Sequence, residues 1–401
     1  MAKKILYISF NNPQISLGVY RKEKEFCDAM QTACKNNGII FQGIDIFTAD
    51  PLTLTKVKQH DSYNLKNVAT AACQGFSAIP FFCSLFRIRP VFKEAYRQIK
   101  LFKPDAILWR YNVTYVPGIF NPKKIYPDVK FISEHQTKEI EELRMTLPGY
   151  MLSPIIKRNA QRVFQNIDAV IGVTSEIRDY ELEIMGRDLP ALVLTNSIDV
   201  ERYPLREHNK YKYDVLRMLF VGSHTAGWHG LDRLLAGMAT YRGDPLLELH
   251  IAGNVSSTTR KLIRLLNVSE QVFNHGYQSG KDLDLLYDNA DIAIGTLAIH
   301  RKNLKSGSTL KVREYMARGI PFIISYRDED LSEGLPFFLK LPANDDPVDI
   351  NKIVGFTQSV YTKYDEGLSP TMRAYAQKHM DYTVKIDKLL KFIQSQLSQQ
   401  H

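Results

Sequence analysis

Short apolar runs of strand length alternate with amphipathic runs of helical length along most of the chain. In the first half, Lys4–Phe10 reads as a strand, Val19–Asn37 as a helix stopped by Gly38, and Ile39–Phe47 as a second strand. Further strands are expected at Ala106–Arg110, Val129–Ser133, Ala169–Val173 and Ala191–Leu194, with helices at Val91–Leu101 and Leu152–Gln165. The second half repeats the alternation more regularly. Strands are expected at Leu216–Gly222, Leu246–Gly253, Val272–Tyr277, Ile292–Thr296 and Pro321–Ser325. Helices are expected at Leu231–Thr240, Ser256–Leu266, Lys281–Asn289 and Thr309–Arg318. Such alternation builds βαβ units and a mostly parallel sheet. The fold class is therefore α/β, with two Rossmann-like doubly wound domains expected to face a cleft.

The boundaries follow from breaks in the pattern. Residues 1–195 make the first domain. Residues 196–214 are polar, hold Pro204 and the charged run Arg206–Lys210, and read as a linker. Residues 215–375 make the second domain, and 376–401 a C-terminal helical segment with an amphipathic helix at Val384–Leu397. A length of 401 residues suits two domains, and 44% apolar residues give each a core.

Composition removes several classes. The lysines of the N-terminus precede an apolar run too short for a secretory signal, and no stretch reaches the ~20 apolar residues that span a bilayer. A cytoplasmic protein is expected. Cys27, Cys34, Cys73 and Cys83 form no Cys-x-x-Cys pair, so they read as core residues, not as zinc ligands. The net charge of +9 suits an anionic ligand or membrane surface, or simply a solvated basic surface; no nucleic-acid motif accompanies it.

In an open parallel sheet, ligands bind beyond the carboxyl ends of the strands. Four segments there carry chemistry. Phe220–Arg233 spells Phe-Val-Gly-Ser-His-Thr-Ala-Gly-Trp-His-Gly-Leu-Asp-Arg, in which Gly222 and its small neighbours let backbone approach an anion and Ser223, His224 and His229 add donors. Ser306–Pro321 opens a helix that Ser308 or Thr309 can cap. On it, Lys311 suits phosphate, and Glu314, three residues on, suits the vicinal hydroxyls of a ribose; a surface Glu314–Arg318 pair is the plainer reading. Ile299–Lys305 gathers His300, Arg301, Lys302 and Lys305 in one loop, as an oxyanion trap or a solvated basic loop. Ile132–Thr137 puts Glu134 and His135 at a strand end, as a polar head for the ligand or a satisfied loop histidine. Asp282 and Asp284 spell Asp-x-Asp, but at a helix start, where carboxylates suit the dipole, and are read as structural.

At these residues the sequence resembles the GT-B glycosyltransferases, and among them the retaining glycosyltransferase family 4 of bacterial surface-polysaccharide synthesis. The helix Thr309–Gly319 looks like that family's nucleotide helix, with Glu314 at the ribose carboxylate, and Asn196–Asp199 looks like its Asn-Gly-Val-Asp segment. The resemblance implies a glycosyltransferase that moves a sugar from a UDP- or GDP-linked donor to a glycan or lipid-linked acceptor, with retention and without metal or other cofactor. It assigns Gly18, Gly222, Ser223, His224, His229, Tyr277, Ser308, Thr309, Lys311 and Glu314 to the donor, and His135, Arg301 and Lys305 to catalysis. It departs at Ser306, where the family carries the first of two glutamates. A nucleotide-sugar 2-epimerase of the same architecture and an inactive relative acting as a binding module are the alternatives. An NAD enzyme is disfavoured, because no Gly-x-Gly-x-x-Gly follows the first strand.

Residues 76–93 interleave five phenylalanines with Arg87, Arg89 and Lys93. They read as first-domain core or as a loop with a short helical piece that enters an anionic membrane surface, Pro80 and Pro90 opposing one continuous helix.

Overall fold

The computed structural model describes residues 2–10, 17–49, 65–71, 80–111, 120–207, 214–222 and 227–398. The chain forms two compact units, residues 1–195 with 382–401, and residues 196–381.

The first unit holds strands β1 (Lys4–Ser9), β2 (Ile40–Ala49), β3 (Leu65–Ala71), β4 (Ala106–Arg110), β5 (Lys130–His135), β6 (Ala169–Gly172) and β7 (Ala191–Val193). They make one parallel sheet in the order β3-β2-β1-β4-β5-β6-β7. Its helices are α1 (Leu17–Asn36), α2 (Pro80–Phe102), α3 (Glu139–Arg144), α4 (Leu147–Phe164) and α5 (Ser175–Met185). The central strand β1 is buried on both faces, as the continuous run Ile5–Ile8 requires. Ile5 and Tyr7 pack with Cys27, Met30 and Cys34 of α1, while Leu6 and Ile8 pack with Ile44, Val91 and Ile107. Cys27 and Cys34 are thus the core residues their seven-residue spacing indicates.

The last helix, α12 (Tyr382–Ser398), belongs to this first unit. Its stripe of Tyr382, Ile386, Leu389, Ile393 and Leu397 recurs every three or four residues and joins the core around α1. Burial contributes about 1.5–3 kcal/mol for each such aliphatic side chain.

The second unit holds β8 (Val215–Val221), β9 (Leu246–Ala252), β10 (Val272–Gly276), β11 (Ile292–Ile294), β12 (Phe322–Ile324) and β13 (Phe338–Lys340). They pair in parallel in the order β10-β9-β8-β11-β12-β13. Helices α6 (Leu231–Thr240), α7 (Ser257–Leu265), α8 (Lys281–Asn289), α9 (Leu310–Arg318), α10 (Ile350–Tyr364) and α11 (Leu368–His379) complete it. In both sheets the strand order reverses between the first strand and the fourth, the topological switch of doubly wound folds.

Three expectations change. Residues 196–207, read as linker, pack into the second unit. Arg206 there is buried, donating from Nε to Gly319 O at 3.0 Å and from Nη1 to Ala290 O at 2.7 Å. A charged run reads as solvated, but these carbonyls satisfy the guanidinium inside. Residues 80–102 form one helix that runs through Pro90 instead of a broken loop. The side chains of Phe76, Phe81, Phe82, Phe86, Arg87 and Arg89 lie outside the described residues, while Val91 and Phe92 are core. The helices α3, α5, α10 and α11 and the strands β3 and β13 had no counterpart in the pattern. No described helix is long and apolar enough to cross a membrane.

Candidate functional site

The carboxyl end of β8 and the amino end of α9 meet in the second unit. Gly222 follows β8 with φ 124°, a conformation that L side chains rarely adopt. A Cβ there would lie 3.1 Å from Lys311 Cε and 3.4 Å from its Nζ. The glycine therefore makes room for the lysine. Lys311 lies in the first turn of α9, and its Nζ sits 3.8 Å from the centroid of the Phe220 ring. The same nitrogen lies 3.4 Å from His229 Nδ1. Burial pulls the Lys311 ammonium down to about 7. No carboxylate hydrogen-bonds it among the described residues.

His229 is buried, set edge-on to Phe220 and against Trp228. It precedes Gly230, whose φ of 70° and close approach to Leu297 and Ala298 demand glycine. The loop that Gly222 opens thus closes on the loop after β11.

The residues expected to cap α9 do other work. Thr309 sits at the cap position without a side-chain hydrogen bond to the helix amides, and its Oγ1 lies 2.8 Å from Tyr326 OH. Ser308 Oγ accepts from Asn196 N–H at 2.7 Å. With neither serving as a cap, the first-turn amides of α9 lack a side-chain acceptor among the described residues, and Lys311 lies in the same turn. An amino end of that kind favours an anion.

The frame behind α9 is rigid. Arg313 is wholly buried, donates from Nε to Asn196 O at 2.9 Å, and from Nη2 to Asp328 at 2.8 Å and Asp330 at 2.6 Å. Its Nη1 also donates to Asp328. This network ties the Asn196 segment to α9 and to the loop after β12. It was not legible in sequence, because Asp328 and Asp330 lie 15 and 17 residues on, with no helical spacing.

Glu314 accepts from Arg318 Nε at 2.9 Å, so the plainer reading of that pair is realised. Arg318 also donates to Asp284 at 2.8 Å and lies over the Tyr287 ring at 4.3 Å. Asp284 is accounted for by that bond, in keeping with a structural Asp-x-Asp. Glu314 keeps partial exposure, its side chain at 20%.

Arg301 is held by Asp232 through Nη1 at 3.0 Å and Nη2 at 2.8 Å, by Asp345 at 2.7 Å, and by Gly227 O at 2.7 Å. Two carboxylates already balance its charge, so it braces the Gly227 loop. The sequence reading missed these partners. Lys305 is exposed, and Tyr277 stands exposed just past β10. Ser223 and His224 lie outside the described residues, and Gly18 falls in the first turn of α1.

His135 differs most from its expected place. It ends β5, but its side chain has no exposed surface. Its Nε2 lies 3.0 Å from Ser133 Oγ, and its Nδ1 lies 3.4 Å from Glu139 and 3.5 Å from Glu181. Both ring nitrogens face partners of their own unit instead of an open surface. Glu139, four residues on, begins α3, a helix the sequence pattern did not indicate. Glu181 was hidden too, because α5 went unread. This trio is the one group of metal-ligating side chains close enough to share an ion among the described residues.

Residues 216–347 match the family model of glycosyl transferases group 1, so the second unit carries a glycosyltransferase domain. No curated protein sequence matches the chain. Solved structures match along its length. A sucrose-phosphate synthase from Thermosynechococcus elongatus aligns at TM-score 0.71 and 14% identity, covering 99% of each chain. HepE of Anabaena, solved with UDP, aligns at TM-score 0.66 and 14% identity over 98% of this chain and 100% of its own. The lipopolysaccharide outer core galactosyltransferase WaaB aligns at TM-score 0.64 and 16% identity over 98% of this chain and 99% of its own. The fold they share with this chain is the two-domain GT-B fold.

Proposed function

We propose that this chain transfers a sugar from a UDP- or GDP-linked donor to a glycan or lipid-linked acceptor, with retention and without a catalytic metal. The observation that carries the reading is Lys311. A half-buried ammonium with no carboxylate partner is costly, and an arriving diphosphate would supply the missing charge. The uncapped amino end of α9 and the close backbone of Gly222 support an anion at the same point. HepE, of the same fold, was solved with UDP, with UDP and glucose, and with UDP-glucose.

In such a transfer the anomeric carbon gains positive charge as the diphosphate leaves with negative charge. Fixed donors placed at the leaving group stabilise that state without reorganising. Lys311, the α9 amides and His229 take this role. Glu314 binds the ribose hydroxyls with the oxygens that Arg318 leaves available, and Arg301 acts by holding Gly227. Ser308 acts through Asn196. His135 is given no contact with the sugar.

The acceptor is assigned to a lipid carrier at the inner face of the cytoplasmic membrane, in surface-polysaccharide synthesis. The support is α4, which exposes Leu147, Tyr150, Met151 and Ile155 along one stripe, each more than half exposed. Lys157 and Arg158 follow on the same helix, and Arg144 precedes it. A cavity of about 440 Å³ beside the stripe is lined by Arg144, Lys157 and Tyr180, together with Glu141 and Glu183. Apolar side chains bordered by cations suit an anionic bilayer and a lipid phosphate.

A screen of UDP- and GDP-sugars, read as nucleotide released with and without acceptor extracts, tests the proposal. Acceptor-dependent release supports transfer. Conversion of donor to an isomer without acceptor would establish the epimerase alternative, and binding without turnover would establish the inactive one.

A further inference from the structure

The group at the end of β5 has the chemistry and spacing of a metal site. His135 leaves β5, Glu139 begins α3, and Glu181 comes from the middle of α5. All three are more than nine-tenths buried. Two carboxylates brought together away from water repel each other unless a positive charge sits between them.

The distances are informative. His135 Nδ1 lies 3.4 Å from Glu139 Oε2 and 3.5 Å from Glu181 Oε2. Both exceed the usual length of a charge-assisted hydrogen bond, about 2.7–2.9 Å. They match the edge of a tetrahedron around zinc, about 3.3–3.5 Å for metal–ligand bonds near 2.0–2.2 Å. The other ring nitrogen, Nε2, lies 3.0 Å from Ser133 Oγ. A metal-bound histidine orients its ring by such a bond from the nitrogen opposite the ion.

An independent observation comes from Tyr111. Its ring lies tilted against that of His135 with centroids 4.9 Å apart, the residue is 5% exposed, and its hydroxyl has no hydrogen-bond partner among the described residues. An orphaned buried hydroxyl on a ring packed against the histidine is what a fourth coordination position, direct or through water, would satisfy.

We infer that His135 Nδ1, Glu139 and Glu181 bind a zinc-class divalent cation inside the first unit, with Ser133 fixing the histidine. Such an ion would tie β5 to α3 and α5. It acts on the stability of that unit and takes no part in the transfer proposed above, so the two proposals stand or fall separately.

The test uses untagged full-length protein, stripped with a chelator and titrated with ZnCl₂, with MgCl₂ as the hard-cation comparison. The expected result is one zinc per chain by elemental analysis and calorimetry, and a thermal midpoint that rises with zinc and not with magnesium. Glu181→Gln should weaken zinc at least 100-fold, and Ser133→Ala about 10-fold, the range for groups that orient a ligand. If Glu181→Gln does not fold, the Ser133→Ala comparison decides. Wild-type protein that takes up only a trace of zinc would overturn the inference and leave a proton shared between the two glutamates. Zinc bound as tightly by Glu181→Gln and Ser133→Ala would overturn it as well.

Discussion

Lys311 Nζ stands 3.8 Å above the Phe220 ring and 3.4 Å from His229 Nδ1. The ring face attracts the charge, yet enclosure works against it, and the ammonium falls to about 7. A lysine depressed in this way loses its proton in the folded protein before it does in the unfolded one. The penalty is full below pH 7, and stability rises as pH increases from 7 towards the unfolded value. A bound diphosphate reverses the balance by favouring the protonated form. UDP affinity should therefore fall as pH rises above 7, by up to tenfold per unit. Lys311→Met should flatten this slope and weaken UDP at pH 6.5, while unliganded stability stays equal or increases. Calorimetric titration across pH 6–9 checks it, and an unchanged slope in the variant would remove Lys311 from the phosphate.

Glu314 offers a cleaner separation of binding from folding. Its side chain is partly exposed, and Arg318 keeps Asp284 when Glu314 is removed. Because Arg318 is buried but keeps one carboxylate, Glu314→Ala should cost about 1.5–3 kcal/mol of stability and leave the fold intact. Loss of charged hydrogen bonds to the ribose should weaken UDP by about tenfold or more, since such bonds contribute about 1.5–3 kcal/mol. Titration with UDP and with inorganic diphosphate distinguishes the cause. Diphosphate should bind both proteins equally, and equal UDP affinity would clear Glu314 of a ribose role.

The Arg313 network predicts the opposite profile. Arg313 and Asp328 are both fully buried, so removing Asp328 takes two of three carboxylate bonds from the buried guanidinium and leaves it only Asp330. Asp328→Ala should destabilise by about 3–5 kcal/mol, a loss typical of a broken buried pair. Denaturant unfolding of the wild type and variant measures it. A loss below about 1 kcal/mol would mean that the pair is compensated by water or by rearrangement.

What the sequence disclosed follows from range. The strands β4 and β8 and the helices α6, α8 and α9 were legible because their apolar periods lie within one short window. Gly222 and Lys311 were legible as candidates because a glycine after a strand and a lysine in a first helical turn have few other uses. Their contact was not, since 89 residues separate them and only the parallel pairing of β8 with β11 brings the loops together. Arg301 looked like an available cation because Asp232 and Asp345 are distant in sequence. His135 looked like a ligand-facing head for the same reason, with Glu181 hidden in an unread helix. In α5, Thr174 caps Ile177 N–H at 3.2 Å and Gly186 ends the helix at φ 63°, signals that were present between weakly periodic residues. The return of α12 to the first unit depends on packing that no local pattern expresses.

The last prediction concerns the exposed stripe of α4. Leu147, Met151 and Ile155 recur at four-residue spacing, with Tyr150 on the same side, and their exposures are 76%, 72%, 60% and 58%. The helix is anchored by its other face, where Ile156, Ala160 and Val163 enter the core, so the stripe is presented by a fixed element. Thr146 secures its amino end by accepting from Gly149 N–H at 3.2 Å. Isolated exposed apolar residues need no explanation, but a stripe bordered by Arg144, Lys157 and Arg158 has the layout of a surface that enters the headgroup boundary. Each basic residue near an anionic leaflet adds about 1 kcal/mol. The protein should therefore float with vesicles of phosphatidylglycerol and phosphatidylethanolamine and stay behind with phosphatidylcholine alone. Leu147→Ser with Met151→Ser and Ile155→Ser should abolish flotation, with the thermal midpoint within a few degrees of wild type because none of the three is core. Lys157→Gln with Arg158→Gln should weaken flotation in low salt and have no effect in high salt, where the charge is screened. Equal flotation of the serine variant would place any membrane contact elsewhere. Failure of the wild type to float on either vesicle would withdraw the lipid surface while leaving the Lys311 and Glu314 predictions untouched.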